Sequence, residues 1–321
     1  MSSVPAISCI LPLYNQARFV GEAIASILAQ SEDDFELIVI DDGSTDDSAR
    51  IVAACNDHRI ILLHNSSNLG TTGALNIGLR AAKGTYIARM DADDVSLPHR
   101  FALQRSFMEE NRHIAVCGSH VMTIGAHSEV VRRPLGSGAI KCFLLAGPPF
   151  SHASVLIRRS VLERWDLCYD EAYRTAQDYD LWLRLLSVAD GWNLDEVLLK
   201  HRLHADQLSS TRGAEQSRNA DAIRRRVLNT IGIAASDHDL DRHTRLFRQQ
   251  LEPSSDNLCW AEGWLATIAA RNSVCGFFDC QALDALLSET RDALRKACRQ
   301  DGTARPGRLR TLMHSLLNRQ F

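Results

Sequence analysis

The sequence predicts an α/β fold built on a mainly parallel sheet, with a C-terminal α-helical extension. Short apolar runs without a helical period alternate with stretches whose apolar residues recur at helical spacing, which is typical of a doubly wound sheet. Beyond about residue 213 the strand-like runs stop, and residues 214–300 carry only helical apolar stripes. We therefore expect a sheet domain at residues 1–212 and a helical region with a basic tail at residues 213–321.

The first part of the chain indicates four strands with helices between them. The predicted strands cover residues 7–11, 35–40, 60–63 and 85–88. A turn at residues 12–15 follows the first strand, and Thr45 or Asp46 can cap the helix after the second. This order of strand and helix is the basis for expecting parallel strands.

The next part of the chain has a mixed pattern. Ser96 and Pro98 indicate the start of a helix. Residues 154–157 and 194–204 are predicted strands, and residues 177–186 form an amphipathic helix between them. The apolar face of that helix consists of Leu181, Trp182, Leu185 and Leu186.

The composition is that of an ordinary globular protein. Of 321 residues, 45% are hydrophobic and 23% are charged, and the net charge is −3. The nine cysteines are scattered without a CxxC pair, which favours free thiols over a zinc or redox site. With no apolar run of ~18–20 residues and no secretory signal pattern, we expect a cytoplasmic protein.

Three carboxylates, Asp91, Asp93 and Asp94, follow the fourth predicted strand. Like charges this close stay ionised cheaply only when a cation lies between them. Oxygen ligands without sulfur suit Mg²⁺ or Mn²⁺, which often take their remaining ligands from substrate phosphates. The alternative is a solvated acidic loop that caps the next helix.

The carboxyl ends of three predicted strands carry polar loops, at residues 12–15, 41–46 and 91–94. Ligands of open parallel sheets bind beyond these ends. A carboxylate there can accept from a pyrimidine ring or from ribose, and a metal can bridge a diphosphate. The phosphate-binding sequences GxGxxG and GxxxxGK[ST] are absent, which argues against NAD enzymes and P-loop proteins.

The motifs resemble those of family 2 glycosyltransferases, in the same order along residues 5–210. They are Pro12-Leu-Tyr-Asn15, Ile40-Asp-Asp-Gly-Ser-Thr-Asp46, Asn68-Leu-Gly70, Met90-Asp-Ala-Asp-Asp94, Gln177-Asp-Tyr-Asp-Leu-Trp-Leu-Arg184 and Arg202-Leu-His204-Ala-Asp-Gln207-Leu-Ser209. The resemblance implies a GT-A (Rossmann-like) fold and an inverting transfer from a nucleotide-diphosphate sugar, usually with Mg²⁺ or Mn²⁺.

The resemblance also implies roles for individual residues. Asp178 matches the catalytic base, Asp93 and Asp91 the metal-binding pair, and His204 a position near the metal or diphosphate. His152 and Gln177 are expected on the acceptor side, although the family commonly has Glu where this chain has Gln177. The residues expected at the nucleotide are Pro12, Tyr14, Asn15, Asp41, Asp42, Asn68 and Asp91.

A physical argument supports Asp178. Inversion is a single displacement, so a base must take the acceptor proton on the face opposite the leaving diphosphate. We expect its pKa to be near the ordinary value, with the helix N-terminus favouring the ionised form. Alternatively, Asp178 only caps the helix, while Asp180 is expected to be structural.

The sequence leaves the substrates open. A UDP or dTDP sugar and a glycan or lipid-linked acceptor for cell-surface polysaccharide are expected from family habit alone. The alternatives are a sugar-phosphate nucleotidyltransferase and a non-catalytic nucleotide-sugar-binding protein. The basic stretch from Arg291 to Phe321 is either a solvated helix or a contact with an anionic membrane surface. Nucleic acid is not expected as a partner, because aromatic residues are not interleaved with the basic ones.

Overall fold

The computed structural model describes residues 4–204 and 213–301. The strands in chain order are β1 (Ile7–Leu13), β2 (Phe35–Asp41), β3 (Ile60–His64), β4 (Tyr86–Arg89), β5 (Val95–Ser96), β6 (Ile114–Gly125), β7 (Val130–Val131), β8 (Leu156–Arg158) and β9 (Asp190–Leu203). They form one sheet in the order β3-β2-β1-β4-β8-β6-β9-β5, with β7 paired to β6. Two predicted segments, residues 205–209 of the last motif and residues 302–321 of the basic tail, lie outside the described residues.

Helices cover the sheet, and the described part of the C-terminal region contains helices joined by loops and no strand. Before residue 204 they are α1 (Val20–Leu28), α2 (Ser48–Ala53), α3 (Gly70–Ala81), α4 (Arg100–Glu110), α5 (Ser137–Phe143), α6 (Arg159–Arg164) and α7 (Gln177–Leu186), with a 3₁₀ turn at His152–Ser154. After residue 212 they are α8 (Gly213–Thr230), α9 (Asp237–Phe247), α10 (Ser255–Cys275) and α11 (Cys280–Asp301).

The predicted α/β fold is confirmed. Strands β3, β2, β1 and β4 are parallel neighbours, and β6 runs parallel to β9, whereas β8 and β5 are antiparallel to their partners. Each of the first three crossovers between parallel strands carries a helix. The carboxyl ends of β1, β2 and β4 therefore meet at one edge of the sheet, where a ligand would bind.

Burial on both faces explains why the central strands are continuously apolar. Every residue of β2 is buried. Successive residues of β1 enter opposite cores: Ile10 lies in the cluster on the side of α3 and the C-terminal helices, and Cys9 and Leu11 lie in the cluster beneath α1 and α4. The first cluster also contains Leu265 of α10, so the C-terminal helices extend the same core. The division at residue 212 stays a prediction.

The predicted helix at residues 177–186 is confirmed as α7. Its four predicted apolar residues are no more than 2% exposed. Predictions at element ends were less accurate. Pro12 and Leu13 belong to β1 rather than to a turn, and the strand predicted at residues 154–157 is a 3₁₀ turn followed by β8. Among the described residues, no helix combines the length and apolar character needed to span a membrane.

The helix predicted to start near Ser96 begins later, at Arg100. Ser96 pairs with Leu199 of β9 instead. The cap comes from a distant residue, because Gln30 Oε1 accepts a hydrogen bond from the Phe101 N–H at 3.0 Å. The helix α2 shows a smaller difference: Asp46 accepts from the Ser48 N–H at 2.9 Å, but Asp47 occupies the N-cap position.

Candidate active site

The acidic loop follows β4 directly and lies beside the end of β1. The Met90 N–H donates to the Ile10 carbonyl at 3.0 Å, which fixes the start of the loop against the central strand. Carboxylate oxygens of Asp91, Asp93 and Asp94 lie within 4.8 Å of one another. The three carboxylates predicted to cluster are thus brought together.

The donor set fits a hard divalent cation. Burial and the neighbouring Asp91 and Asp94 carboxylates raise the pKa of Asp93 to about 6. Without a bound cation, the ionised form of Asp93 is therefore disfavoured. A Mg²⁺ or Mn²⁺ ion would remove that penalty, and the oxygen ligands match its preference. His204 Nε2 lies 2.9 Å from Asp93 Oδ2, which brings this predicted residue to the same place.

Asp94 differs from the partly exposed Asp91 and Asp93 because it is buried and bound to the end of β9. It is fully buried and accepts from the Arg202 N–H at 2.9 Å and from His201 Nδ1 at 3.1 Å. Burial opposes the charge on His201, but the Asp94 carboxylate outweighs it and raises the His201 pKa to about 9. Asp94 therefore anchors the loop. The partly exposed Asp91 and Asp93, which pair with Arg89 and His204, are the candidate metal ligands.

The end of β9 closes over the acidic loop. Arg202 Nε donates to the Asp93 carbonyl at 2.8 Å, and its Nη2 donates to Glu22 of α1 at 2.6 Å. The Phe19 ring lies 4.9 Å from the His204 ring, centroid to centroid. Sequence reasoning placed His204 here but missed His201, since no local pattern shows that these two segments meet.

The loops after β1 and β2 are tied together. Asn15 has a left-handed backbone (φ 50°), its Oδ1 accepts from the Thr45 N–H at 2.8 Å, and its N–H donates to Ser44 Oγ at 3.0 Å. Tyr14 beside it is 45% exposed and Pro12 is half-buried. These residues border the edge of the sheet where the nucleotide is expected, and their contacts with it stay predictions.

Asp41 and Asp42 shape the loop, as expected, through buried carboxylates. Asp42 accepts from Asn65 Nδ2 at 2.7 Å and from the N–H groups of Leu69 and Gly70 at 3.0 and 2.8 Å. Asp41 accepts from the Ser44 N–H at 3.1 Å. Three donors already occupy the Asp42 oxygens. The predicted contact of Asp41 and Asp42 with the base stays a prediction.

Asn68 lies within the segment that Asp42 holds. It is exposed, and its Oδ1 accepts from the Gly70 N–H at 2.9 Å. That bond stabilises the turn into α3. Its predicted contact with the nucleotide stays a prediction.

Arg89 is a central cation of the site, although no role was predicted for it from the sequence. It is the last residue of β4, is 5% exposed and forms an ion pair with Asp91. It also interacts electrostatically with Asp178 and His152. One guanidinium group therefore pairs with the acidic loop and also acts electrostatically on the predicted base.

Asp178 lies in the first turn of α7, after Ala176 in a left-handed conformation. Burial raises its pKa, while the Tyr179 N–H, Arg89 and Arg133 act in the opposite direction. The expectation of an ordinary pKa was therefore wrong, because a partly buried carboxylate loses hydration. The helix amides do favour the ionised form, as predicted, but they do not outweigh burial.

Asp180, two residues further on, has the structural environment expected for it. It is fully buried, accepts from Arg184 Nη2 at 2.6 Å and forms an ion pair with Arg226 of α8. Gln177 is 9% exposed at the start of the same helix. Its role toward an acceptor stays a prediction.

His152 is held beside this region by an aromatic residue. Its Nε2 lies 2.7 Å from the Tyr169 hydroxyl, and the Trp182 ring packs edge-on at 6.1 Å. Burial and the Arg89 charge hold the pKa of His152 well below its usual value. The imidazole is therefore neutral, with one ring nitrogen that donates a hydrogen bond and one that accepts.

The sequence of this chain is similar to those of known glycosyltransferases. A family model described as Glycosyl transferase family 2 matches residues 8–165. An uncharacterized glycosyltransferase of Haemophilus influenzae is 33% identical over 250 residues, covering 73% of this chain and 77% of the relative. The amylovoran biosynthesis glycosyltransferase AmsE of Erwinia amylovora is 30% identical over 213 residues, covering 64% of this chain and 79% of AmsE.

Two solved structures share the fold. TarS of S. aureus in complex with UDP-GlcNAc aligns with a TM-score of 0.57 and 17% identity, covering 92% of this chain and 91% of that one. The mannosyltransferase PcManGT of Pyrobaculum calidifontis, in complex with GDP-Man and Mn²⁺, aligns with a TM-score of 0.56 and 16% identity, covering 94% and 88%. Because the family model matches residues 8–165 and the Haemophilus influenzae glycosyltransferase is 33% identical over 73% of the chain, this chain belongs to glycosyl transferase family 2 and is a glycosyltransferase.

Proposed function

We propose that this enzyme transfers one sugar, with inversion, from a nucleotide-diphosphate sugar of the UDP or dTDP type to a glycan or lipid-linked acceptor. The observation that carries the proposal is the position of Arg89, which pairs with Asp91 of the acidic loop and interacts with Asp178. A leaving diphosphate at the loop and an attacking hydroxyl at Asp178 would then lie on either side of one sugar, as a single displacement requires.

Asp93 and Asp91 would hold Mg²⁺ or Mn²⁺, with His204 beside Asp93. When bound, the ion supplies positive charge for the diphosphate as it leaves. The oxygen donor set and the raised pKa of Asp93 support this assignment. PcManGT binds GDP-Man with Mn²⁺, which supports a divalent ion here by likeness of fold.

Asp178 would accept the proton of the acceptor hydroxyl. The acceptor oxygen forms a bond to the anomeric carbon while the bond from that carbon to the diphosphate oxygen breaks, and the nucleoside diphosphate leaves. His152 and Gln177 would face the acceptor. Because His152 is neutral, it would orient a hydroxyl by hydrogen bonding rather than by charge.

The donor nucleotide would lie across the loops after β1 and β2. Pro12 and Tyr14 would line the base pocket, and Asn15, Asp41, Asp42 and Asn68 would shape it. The mutual bonds of these loops support a preformed pocket, because Asn15 and Asp42 hold them in place without a ligand.

The acceptor class is proposed from the relatives. AmsE is named for amylovoran biosynthesis, which supports a role in cell-surface polysaccharide synthesis. We propose a cytoplasmic enzyme with a peripheral contact at the membrane through the basic end of the chain. Within the described part, Arg291, Arg295, Lys296 and Arg299 lie on α11, and Arg295 already pairs with Glu262.

The two alternatives are less well supported. A nucleotidyltransferase would place a basic, glycine-rich phosphate loop after β1, where this chain has Pro12-Leu-Tyr-Asn15. A non-catalytic binding protein would have no use for a carboxylate at Asp178. Turnover that disappears in Asp178→Asn while nucleotide binding persists would exclude a binding-only role.

The test is binding and hydrolysis of UDP-, dTDP-, GDP- and CMP-sugars with and without Mn²⁺, in wild type and Asp93→Ala. Asp241→Ala is the matched control, since it removes an exposed carboxylate of α9 that pairs only with Arg245 in the described structure. We expect the wild type and Asp241→Ala to bind sugars of one nucleotide class when the metal is present. Asp93→Ala should lose this binding. Binding that ignores both the metal and Asp93 would contradict the proposal.

A further inference from the structure

Tyr169 has no role in the function described so far, yet its hydroxyl contacts the histidine expected on the acceptor side. Tyr169 is 3% exposed, and its hydroxyl lies 2.7 Å from His152 Nε2. Among the described residues, this hydroxyl has no second hydrogen-bond partner. Because buried polar groups are nearly always paired in folded proteins, the single contact restricts how the two groups share their protons.

The contact fixes which ring nitrogen of His152 carries the proton. Burial raises the pKa of Tyr169, so the phenol keeps its proton at neutral pH. If the phenol accepted a hydrogen bond from Nε2, its own O–H group would stay buried and unpaired, which is costly. The phenol therefore donates to Nε2, and Nδ1 carries the proton of the neutral imidazole.

The Nδ1 atom of His152 is the donor that remains for a ligand. It forms no hydrogen bond with the described residues, and it is not one of the enclosed polar atoms without a partner in that part of the chain. An atom that is neither paired nor enclosed can be reached from outside the protein. The half-buried His152 thus has one nitrogen tied to Tyr169 and one that a substrate can contact.

The ring of His152 lies on the side of α7 that carries the proposed base. The fully buried Trp182 packs edge-on against it, with the ring centroids 6.1 Å apart. Asp178 and Trp182 are four residues apart on α7, so their side chains project from the same face of the helix. A hydroxyl bound to His152 would therefore lie on the same side of α7 as the group proposed to take its proton.

The position of Tyr169 is set by hydrogen bonds from α3. Asn76 is 4% exposed, its Nδ2 donates to the Tyr169 carbonyl at 2.9 Å, and its Oδ1 accepts from the Tyr169 N–H at 3.0 Å. Thr72, four residues earlier on the same face, donates from Oγ1 to the Tyr173 carbonyl at 2.8 Å. The first N–H of α3 donates to Asp42. The backbone of Tyr169 is thus fixed by a helix that is itself bound to the loop after β2.

We propose that Tyr169 is a positioning residue that holds His152 in the Nδ1–H tautomer, so that this N–H donates to the acceptor oxygen that attacks the sugar. A hydroxyl oxygen has two lone pairs and one proton. One lone pair accepts from His152, the other faces the anomeric carbon, and the proton faces Asp178. The inference rests on the proposed function, since it requires an acceptor at Asp178. Tyr169 itself does not touch the reacting atoms.

The kinetic experiment is a double-mutant cycle of Tyr169→Phe and His152→Ala. Its readout is hydrolysis of whichever sugar turns over in the UDP-, dTDP-, GDP- and CMP-sugar panel, in which water takes the place of the acceptor hydroxyl. We expect Tyr169→Phe to lower kcat about 3–10-fold, the effect of one hydrogen bond, with an unchanged KM for the donor. The double variant should be no slower than His152→Ala, because Tyr169 acts through His152.

Tyr173→Phe is the matched control. It removes a hydroxyl from the same loop, but that hydroxyl accepts from Arg226 Nη1 at 3.4 Å and has no contact with His152. We expect this variant to keep the wild-type kcat and KM.

The second measurement needs no substrate. NMR of protein labelled with ¹⁵N-histidine shows which ring nitrogen is protonated, and the signals missing from His152→Ala assign His152. We expect the proton on Nδ1 in the wild type and in Tyr173→Phe, and a mixture of both tautomers in Tyr169→Phe. If Tyr169→Phe does not fold, Asn76→Ala keeps the hydroxyl but releases its backbone, and it should show the same change to a smaller extent.

The two proposals fail in different ways. A wild-type His152 with its proton on Nε2 would overturn the inference, as would an unchanged tautomer in whichever of Tyr169→Phe and Asn76→Ala folds. A wild-type protein that turns over no sugar, or an Asp178→Asn variant with full activity, contradicts the proposed function. An active wild type and an inactive Asp178→Asn, together with losses that add in the double variant, contradict only the role of Tyr169.

Discussion

His201 and Asp94 form a buried ion pair that joins the end of β9 to the acidic loop after β4, with Nδ1 lying 3.1 Å from Oδ1. The pair holds the loop in place from a strand that is far away in the sequence. It also makes the stability of the site depend on the protonation of a histidine.

We therefore expect His201→Gln to destabilise the protein in a pH-dependent way. The pKa of His201 is raised from an ordinary 6.5 to about 9, so the stabilisation is fully present below 6.5 and is lost as pH rises through 9. At pH 6 the loss should be on the order of 3 kcal/mol, and near pH 10 it should be small. Urea unfolding with EDTA at both pH values measures this, and equal losses would contradict it.

Asp178→Asn should lose activity and gain stability. The raised pKa means that the folded protein resists ionisation of this carboxyl group, so stability is lost as pH rises through the folded pKa. Removing the charge should therefore raise Tm at neutral pH, and the gain should shrink in acid. Asp180→Asn is the contrast: it breaks the pairs with Arg184 and Arg226 and should lower Tm. A Tm that falls in both variants would contradict the prediction.

Asp42→Ala should weaken the donor site through its loop. The carboxylate accepts from Asn65, Leu69 and Gly70, and its loss leaves those donors unpaired, at a stability cost of at least about 2 kcal/mol. KM for the donor should rise more than kcat falls. Asp47→Ala, which removes a carboxylate 63% exposed and paired with Arg50, should change Tm and KM little. Similar effects in the two variants would argue against this account.

Gly118→Ala should disturb the clamp formed by Asn193, whose Nδ2 donates to the carbonyls of Pro134 and Pro149 at 2.9 and 3.1 Å. A Cβ at residue 118 would collide with Asn193 Oδ1 and lie 2.9 Å from Phe150 Cδ1. Both neighbours are buried, so the expected loss is about 1–3 kcal/mol, together with reduced turnover as the loop before His152 shifts. Gly263→Ala on α10 meets nothing within 4 Å and should leave Tm unchanged or slightly higher. A neutral Gly118→Ala would show that the clamp tolerates movement.

The sequence predicted the parts of the fold that depend on local pattern. The continuous apolar run was enough to predict β2, which is buried on both faces, and the helical spacing of apolar residues was enough to predict α7. Pro12 was assigned to a turn, whereas it lies in β1. Whether a strand accepts a proline depends on the neighbouring strand, and β1 pairs with β4 only up to Ile10. Beyond that point one edge of β1 is open, and a residue without an N–H fits there.

The candidate site was only partly predictable. Asp91, Asp93 and His204 were found by motif and are brought together. Arg89 and His201 were missed, since their roles depend on contacts between segments that no local spacing reveals. Tyr169 belongs with them: its position is set by Asn76 of α3, and a tyrosine in a loop carries no signal of its own.

The ion pairs of Asp180 have a consequence for how the chain can be divided. α7 carries the proposed base on one turn and, on the same turn, a buried carboxylate whose partner Arg226 belongs to α8. A protein shortened at residue 212 would keep every motif of the family and yet leave Asp180 with only Arg184. The C-terminal helices are thus part of the support of Asp178, and an enzyme trimmed to residues 1–212 would hold its base less firmly.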